Sequence, residues 1–452
     1  MQLKKPTPGA LRLGLMAASC SLLSTAAFAQ SAGDVPAEDE TPWQFDTGLL
    51  YYKENDGRVT TTEPVIGLRK DFGDEQVLNM GLGFDSLSGG SPNGAIPLKK
   101  AQTFASPSGT ILSNVGGTPV TYTTPSGQTV AQLSKITLYT IEPGQLPADP
   151  GFHDTRIALN ADWSEPFGDA NHYTIGGSLS HELDFVSAVM NGAVSRDFNE
   201  KNTTVGLGLN VELDSVKPIG GAPVPRTDYR MLDKLGNHSK DVLGGLLSVT
   251  QVMSRTWIAQ FNYSYDTSHG YLTDPYKILS VVDAAGSLTD YRFESRPDKR
   301  TRQALYWGNK VALSDSMVLD VSFRHGTDDW SVHSNTVDGR LRFPLGNPDI
   351  YLEPHLRWYH QTAASFYHLY LDAADTLPEY MSADPRLAEF SAITVGAKLG
   401  FMLEDKAEIN FRIEVYKQDP TQTSSSLPLL SGLDLNPSLR TVIFQVGWRH
   451  GF

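Results

Sequence analysis

The chain has 452 residues, a formal charge of −14, 40% hydrophobic residues, 40 glycines and a single cysteine. That acidic balance argues against nucleic acid as a partner, because such a surface must be cationic enough to displace counterions. No segment reaches the roughly 18 consecutive apolar residues of a membrane helix, so a helical membrane protein is excluded as well.

Residues 1–29 read as a secretory signal. Lys4, Lys5 and Arg12 form a basic start, Leu13 to Ala27 an apolar stretch, and Ala27-Phe28-Ala29 a cleavage site of small residues. Cys20, the only cysteine, lies inside it. Lipoprotein cleavage at Cys20 is the rival reading, but Ala17-Ala18-Ser19-Cys20 lacks the leucine such a site normally carries. Removing the signal takes away three positive charges and no negative one, moving the net charge from −14 to −17. The mature chain then has no disulfide and no thiolate metal site. Residues 30–43 are acidic and polar, including Glu38-Asp39-Glu40, and read as a flexible periplasmic leader.

From residue 44 to 452 the pattern is period-two alternation, which sends successive side chains to opposite faces of a strand. Val205-Gly206-Leu207-Gly208-Leu209-Asn210-Val211-Glu212-Leu213 has one wholly apolar face and one of Gly, Asn and Glu. Residues 350–358 and 407–415 repeat the pattern. Sixteen strands are expected, near 44–52, 60–71, 76–86, 153–164, 171–182, 185–197, 202–213, 240–251, 256–267, 301–313, 316–328, 331–344, 349–361, 388–403, 406–418 and 438–452. Many exceed the soluble mode of about 5–6 residues and match the roughly 9–11 residues that cross a bilayer at a tilt. With a periplasmic N-terminus, every even-numbered connection is short, and the long loops 87–152, 214–239, 268–300, 362–387 and 419–437 all fall on the other side. Short periplasmic turns and long outer loops characterise outer-membrane barrels. The expected fold is therefore an all-β transmembrane antiparallel barrel of about sixteen strands, with fourteen to eighteen admitted, in the outer membrane of a Gram-negative cell.

Loop 87–152 is long for a structureless connection. It has three readings: an exposed hairpin on the outer surface, which is favoured, a plug or constriction inside the lumen, or two further strands built on 118–124 and 133–141.

The expected inward faces carry Arg340, Arg342, Glu353, Arg357, Lys398, Glu408, Arg412 and Glu414, with Glu63, Arg69, Arg156, Asp162, Glu212, Lys310, Asp320, Arg324, Asp338, His355 and Arg449. Such groups need a wet or paired interior. One reading is a water-filled lumen with a basic wall in the last third of the chain facing acidic residues elsewhere, a transverse field that selects small polar solutes. The other is that neighbouring Arg and Glu simply pair and fill the barrel. His355 and His360 share a strand but lie on opposite faces, and no metal site or cofactor is expected. Aromatics near strand ends, Tyr51, Tyr52, Trp163, Tyr173, Trp257, Tyr263, Tyr265, Trp358, Tyr359, Tyr416 and Trp448, suit interfacial girdles. Only Tyr306, Tyr351, Tyr359 and Tyr416 are expected inward. No nucleophile elbow or phosphate-binding loop is present, and no enzyme activity is expected.

The last strand ends Phe444-Gln445-Val446-Gly447-Trp448-Arg449-His450-Gly451-Phe452. Phe444, Val446, Trp448 and the terminal Phe452 resemble the signal read by the barrel-assembly machinery, with His450 in place of the usual Tyr. Asp56-Gly57-Arg58-Val59, Pro64, Arg69-Lys70 and above all Asp85-Ser86-Leu87-Ser88-Gly89-Gly90-Ser91-Pro92-Asn93-Gly94, with the terminal Gly-Trp-Arg-x-Gly-Phe, are similar to the domain-of-unknown-function 3570 family across the whole mature chain. The resemblance implies an exported barrel and supplies no established activity. Three functions follow as expectations: a pore or transporter for small hydrophilic solutes, a structural barrel that binds a periplasmic redox or lipoprotein partner, or an outer-membrane enzyme.

Overall fold

The computed structural model describes residues 43–106, 120–123, 129–132, 138–219, 221–229, 234–403 and 407–451. The signal segment, the leader to residue 42 and Phe452 lie outside the described residues.

Sixteen antiparallel strands close into one barrel. They are β1 (Trp43–Glu54), β2 (Thr60–Asp71), β3 (Val77–Ser88), β4 (His153–Phe167), β5 (Asn171–His181), β6 (Phe185–Phe198), β7 (Thr203–Val216), β8 (His238–Ser254), β9 (Trp257–Gly270), β10 (Lys299–Ser314), β11 (Met317–Asp328), β12 (His333–Leu345), β13 (Asn347–Gln361), β14 (Phe390–Met402), β15 (Glu408–Pro420) and β16 (Leu439–Gly451). Each pairs with its sequence neighbour, and β16 pairs with β1 through Tyr51↔Phe444, Leu49↔Val446 and Thr47↔Trp448. Closure leaves no free edge, so every backbone group inside the bilayer can find a partner in the sheet. Phe444, Val446 and Trp448, expected from the sequence as an assembly signal, form part of the closing seam.

Alternation sets the two faces. On β7, Leu207, Leu209, Val211 and Leu213 point outward and are exposed, while Glu212 and Asp214 point inward and are buried. The same outward apolar band continues through Leu159, Leu179, Met190, Leu243, Leu305, Leu356, Val395 and Ile413. In water such a surface would drive aggregation; facing lipid it costs nothing, so the barrel spans a membrane. Aromatic pairs sit near the short-turn end, Phe45 with Trp448 and Phe72 with Trp163, as a girdle requires. Tyr52, Tyr359 and Tyr416 depart from the expected girdles: each is on the inward parity of its strand, and Tyr52 is buried and donates to Glu54 at 2.6 Å.

The tight turns 72–76, 168–170, 199–202, 255–256, 315–316 and 346 share one end with both described termini. Gly73 and Gly346 adopt positive φ, 81° and 72°, where a side chain would strain the chain reversal. The five long connections between strands, 89–152, 217–237, 271–298, 362–389 and 421–438, leave and re-enter the wall at the other end, and their described residues are 89–106, 120–123, 129–132, 138–152, 217–219, 221–229, 234–237, 271–298, 362–389 and 421–438.

These loops do not spread over the outer surface. Gln102–Ala105 pairs with Leu138–Ile141, and Ile278–Val282 pairs with Leu288–Phe293 and with Leu371–Asp372. Ile96 and Leu98 (β3–β4 connection), Val282 (β9–β10), Leu369 (β13–β14), and Leu430 and Leu435 (β15–β16) form one buried cluster. The β3–β4 and β9–β10 connections are six strands apart on a ring of sixteen. Residues rooted so far apart meet only by crossing the barrel mouth. The loops thus make a cap with its own apolar core, a satellite to the membrane wall.

Two expectations change. The favoured exposed hairpin for 87–152 is wrong for residues 95–104: Ala95, Ile96 and Phe104 are buried in the cap core, because four other loops cover them. None of the described segments of this connection joins the barrel; Val120–Thr123 and Thr129–Gln132 pair only with each other. Leu87 is not a loop residue: with Asp85 and Ser86 it forms the outer end of β3, where Asp85 and Leu87 point inward and are buried.

Candidate functional site

The lumen wall formed by β12–β16 is a lattice of cross-strand charges. Register places Glu353 beside Lys398 and Lys398 beside Arg412. Lys398 Nζ is 3.4 Å from Glu408, and Arg412 is 3.5 Å from Glu353 and 3.1 Å from Glu414. Both ring nitrogens of His355 face carboxylates, Asp338 at 2.9 Å and Glu414 at 2.8 Å. Arg340 lies 3.6 Å from Asp338, and Arg449 is 2.7 Å from Asp46 across the seam. Arg342 stacks 3.7 Å over the Tyr351 ring, whose hydroxyl donates to Glu408 at 2.6 Å. All eight expected lumen residues share this inner face, and seven are tied to neighbours. Arg357 is the exception: among the described residues it forms no hydrogen bond or ion pair.

Pairing is extensive along the wall, yet the signs are also segregated around the ring. Strands β1–β8 turn Asp46, Glu54, Glu63, Asp85, Asp154, Asp162, Glu212 and Asp214 inward against Arg69, Arg156 and Lys240. Strands β9–β16 reverse the balance, with Arg300, Arg302, Lys310, Arg324, Arg340, Arg342, Arg357, Lys398, Arg412 and Arg449 against fewer carboxylates. In a ring of sixteen, strands eight apart face each other, so β2 and β3 face β10 and β11, and β4 faces β12. Glu63 and Asp85 therefore stand across from Arg302 and Arg324 near the outer end, and Asp162 from Arg340 and Arg342 near the inner end.

Above the lumen lies a buried charge cluster that the sequence pattern did not signal. Arg296 bridges Glu294, through its NH2 group at 2.9 Å, and Asp384 at 2.8 Å. Arg386 reaches Asp274 at 2.7 Å and closes on Asp384. Ser382 donates to Glu294 at 2.6 Å. Lys277, 3% exposed, donates to Ser91 Oγ at 2.9 Å and also to the Pro92 carbonyl. Burial pushes Glu294 up and Lys277 down. Burial also opposes the charge of Asp384, but Arg386, Lys277 and Arg296 outweigh it and hold this carboxyl far below its ordinary value.

Residues 89–94 of the sequence motif dock on this cluster. Asn93 accepts from Ile278 N and donates its own N–H to Pro147 O, each at 2.8 Å, while its side chain accepts from Ala95 N at 2.9 Å. Gly94 has φ +96°, and a Cβ there would collide with the Ile278 carbonyl. Gly89 is under the same constraint against the Arg58 carbonyl. The motif therefore acts as a structural tongue, a role its Gly and Asn residues hinted at and its sequence neighbours did not. A further trio, Asp154, Glu182 and Asp184, brings carboxylate oxygens within 4.8 Å of one another, with Arg156 4.0 Å from Glu182.

Residues 13–450 match the family described as "Protein of unknown function (DUF3570)". No curated protein is similar in sequence. Among solved structures, the chain is similar to the ferric enterobactin receptor PfeA at 6% identity and TM-score 0.41, covering 86% of this chain and 55% of the receptor. The chain thus spans little more than half of that protein. It is also similar to a bacterial polysaccharide outer membrane secretin at 7% identity and TM-score 0.43, covering 92% of this chain and 100% of the secretin. A third is a mutant of the monoaromatic hydrocarbon channel TodX, at 10% identity and TM-score 0.38, covering 92% and 91%.

Proposed function

The chain belongs to the DUF3570 family of proteins of unknown function, and from that premise we propose that it is a gated pore or transporter for small hydrophilic solutes, exported by its N-terminal signal and inserted by the barrel-assembly machinery. The observation that carries this reading is the segregation of lumenal charge into an acidic and a basic wall inside a sixteen-stranded barrel. Barrels of this size are wide enough to hold water, whereas eight strands are filled by their own side chains. A purely structural barrel has no need to sort its buried charges by sign, and opposed walls of charge are how a wet lumen discriminates among polar solutes. The cap supplies the gate, because loops rooted around the ring meet over the axis.

Planar-bilayer recording tests it. Asn93 and Pro147 already share a backbone hydrogen bond of 2.8 Å, so joining them deletes residues 94–146 with little strain on the β3–β4 ends. The full mature chain is expected to conduct rarely, and the deletion variant to open persistently, with conductance at least several-fold higher. A barrel that is folded and silent in both forms would reject passage and favour the partner-binding reading.

A further inference from the structure

Three cations face outward at the outer rim of the closing seam. On β15 the outward residues Ile409, Phe411, Ile413 and Val415 are followed by Lys417. On β16 Trp448, Val446, Phe444 and Val442 lead up to Arg440, and on β1 Phe45, Thr47, Leu49 and Tyr51 lead up to Lys53. Each cation is the first outward residue beyond the lipid-facing run of its strand. From Trp448 in the inner girdle to Arg440 is eight residues, about 27 Å along a strand and comparable with the roughly 25 Å apolar band of such barrels. The three charges therefore stand where hydrocarbon gives way to headgroups, on the side of the long loops. Register makes them neighbours: Lys417 is directly opposite Arg440, and Lys53, opposite Val442, is diagonal to Arg440 across the seam. Like charges directly opposite one another destabilise a sheet, so this corner calls for an anion. The chain supplies one, Asp419, which accepts from Ser438 at 2.7 Å, pairs with Lys417 at 2.7 Å and lies near enough to Arg440 to interact with it electrostatically. Asp56, in the β1–β2 turn, is held by Asn55 at 2.6 Å. The side chains of Arg440 and Lys53 form no hydrogen bond or ion pair among the described residues. On the outward face, three cations against Asp419 leave two positive charges in excess. Eight strands away, the rim of β8 and β9 carries instead the pair Asp241 and His269, 3.6 Å apart, with Lys299 of β10 opposite His269.

We propose that this corner is a docking surface for the phosphorylated glycolipid of the outer leaflet, with its phosphates on Arg440, Lys53 and Lys417 and its acyl chains along Val415, Val442, Phe444 and Tyr51. The guanidinium fork matches phosphate oxygens with two parallel hydrogen bonds, and a lysine on either side adds a point charge. Lipid chains cover the apolar band whatever lipid they belong to, so the headgroup decides the occupant. A phospholipid presents one phosphate. A lipid with two phosphates on one sugar core answers the excess of two charges at once, across three strands that together span about 10 Å. The docked lipid would bridge β15, β16 and β1, and so brace the seam at which the barrel closes. None of this depends on passage through the lumen.

Native mass spectrometry of the detergent-solubilised mature chain counts the lipid that stays bound. Three lipids serve as probes: lipid A with both phosphates, lipid A stripped of phosphate, and phosphatidylglycerol. Diphosphorylated lipid A is expected to remain as a one-to-one adduct and to bind at least about tenfold more tightly than the other two. Lys53→Gln combined with Arg440→Gln should weaken it about twenty-five-fold, about fivefold for each cation. Lys299→Gln, on the far rim, should leave it unchanged, and Lys53→Arg combined with Arg440→Lys should keep most of the affinity. Inorganic phosphate in excess should not displace the lipid; displacement would overturn the lipid in favour of free phosphate. With lipid A absent, the midpoint of heat unfolding of the double glutamine variant should not fall, because a pair of opposed like charges is relieved. A fall there would assign the cations to folding and overturn the docking role. Equal retention of phosphatidylglycerol, full retention by the double glutamine variant, or no adduct with any probe also overturns the proposal.

Discussion

Asp384→Asn should release the cap from the barrel mouth while leaving the sixteen-stranded wall intact. Asp384 is 1% exposed and is the carboxylate that Arg296 and Arg386 share. With Lys277, Arg296 and Arg386 set against Asp274, Glu294 and Asp384, the cluster is balanced; neutralising Asp384 leaves one buried cation without a counterion. Breaking a buried ion pair in this one-sided way costs about 3–5 kcal/mol. The cap's core is a set of small apolar clusters contributed by separate loops, so it has little reserve against such a loss. Protease should then cut within 271–298 and 362–389 at least tenfold faster, single-channel openings should lengthen, and far-UV circular dichroism should stay the same. Lys277→Met tests the cluster from the other side, since it removes both bonds to Ser91 and Pro92 and leaves one buried carboxylate without its counterion. Unchanged protease resistance in both variants would show that the cluster does not hold the cap. The pH dependence follows from the sign. Asp384 is depressed by its cationic neighbours, so its stabilisation is fully present above the ordinary carboxylate pKa of about 4 and fades only as pH falls through its much lower folded value. Mild acid alone should therefore leave the Asp384 pairs intact, and Glu294, which burial pushes up, is the carboxylate of the cluster that protonates ahead of it.

Leu209→Arg should impair insertion, and Asn210→Arg should not. The two residues are neighbours at the middle of β7, and alternation sends Leu209 outward, 60% exposed, and Asn210 inward. An arginine facing lipid near the bilayer midplane costs about 2–4 kcal/mol, whereas the same side chain in the lumen meets water and the carboxylate of Glu212 two residues along. Urea titration of folding into lipid vesicles measures the difference. Equal destabilisation by the two substitutions would mean that the outward face does not meet hydrocarbon, and the membrane reading would fall with it.

Individual strands show what was legible. Along β7, residues 205–213 alternate so cleanly that face, lipid exposure and the inward placement of Glu212 all follow from parity. The eight lumen residues of β12–β15 were legible for the same reason, because once a strand is recognised its side-chain period assigns every second residue to the interior. Tyr52 was misplaced because its aromatic character was weighed over its parity, while Tyr51 beside it does face outward. Leu87 was assigned to a loop because Ser and Gly follow it, although β3 continues to Ser88.

The cap was not legible at all. Ile96, Val282, Leu369 and Leu430 meet in one core, yet they are far apart in the chain and lie in segments with no sustained period. Lys277, Glu294, Arg296, Asp384 and Arg386 look individually like solvated loop charges, the ordinary fate of such residues.

The one-dimensional pattern by itself determined the barrel, its strand number, its two faces and the side on which the long loops lie, because each depends on local alternation and turn length. Tertiary structure alone decided that the mouth is covered and that acidic and basic strands face each other across the lumen. Those properties belong to which strands become neighbours or opposites when the ring closes, and the period of a strand carries no information about that.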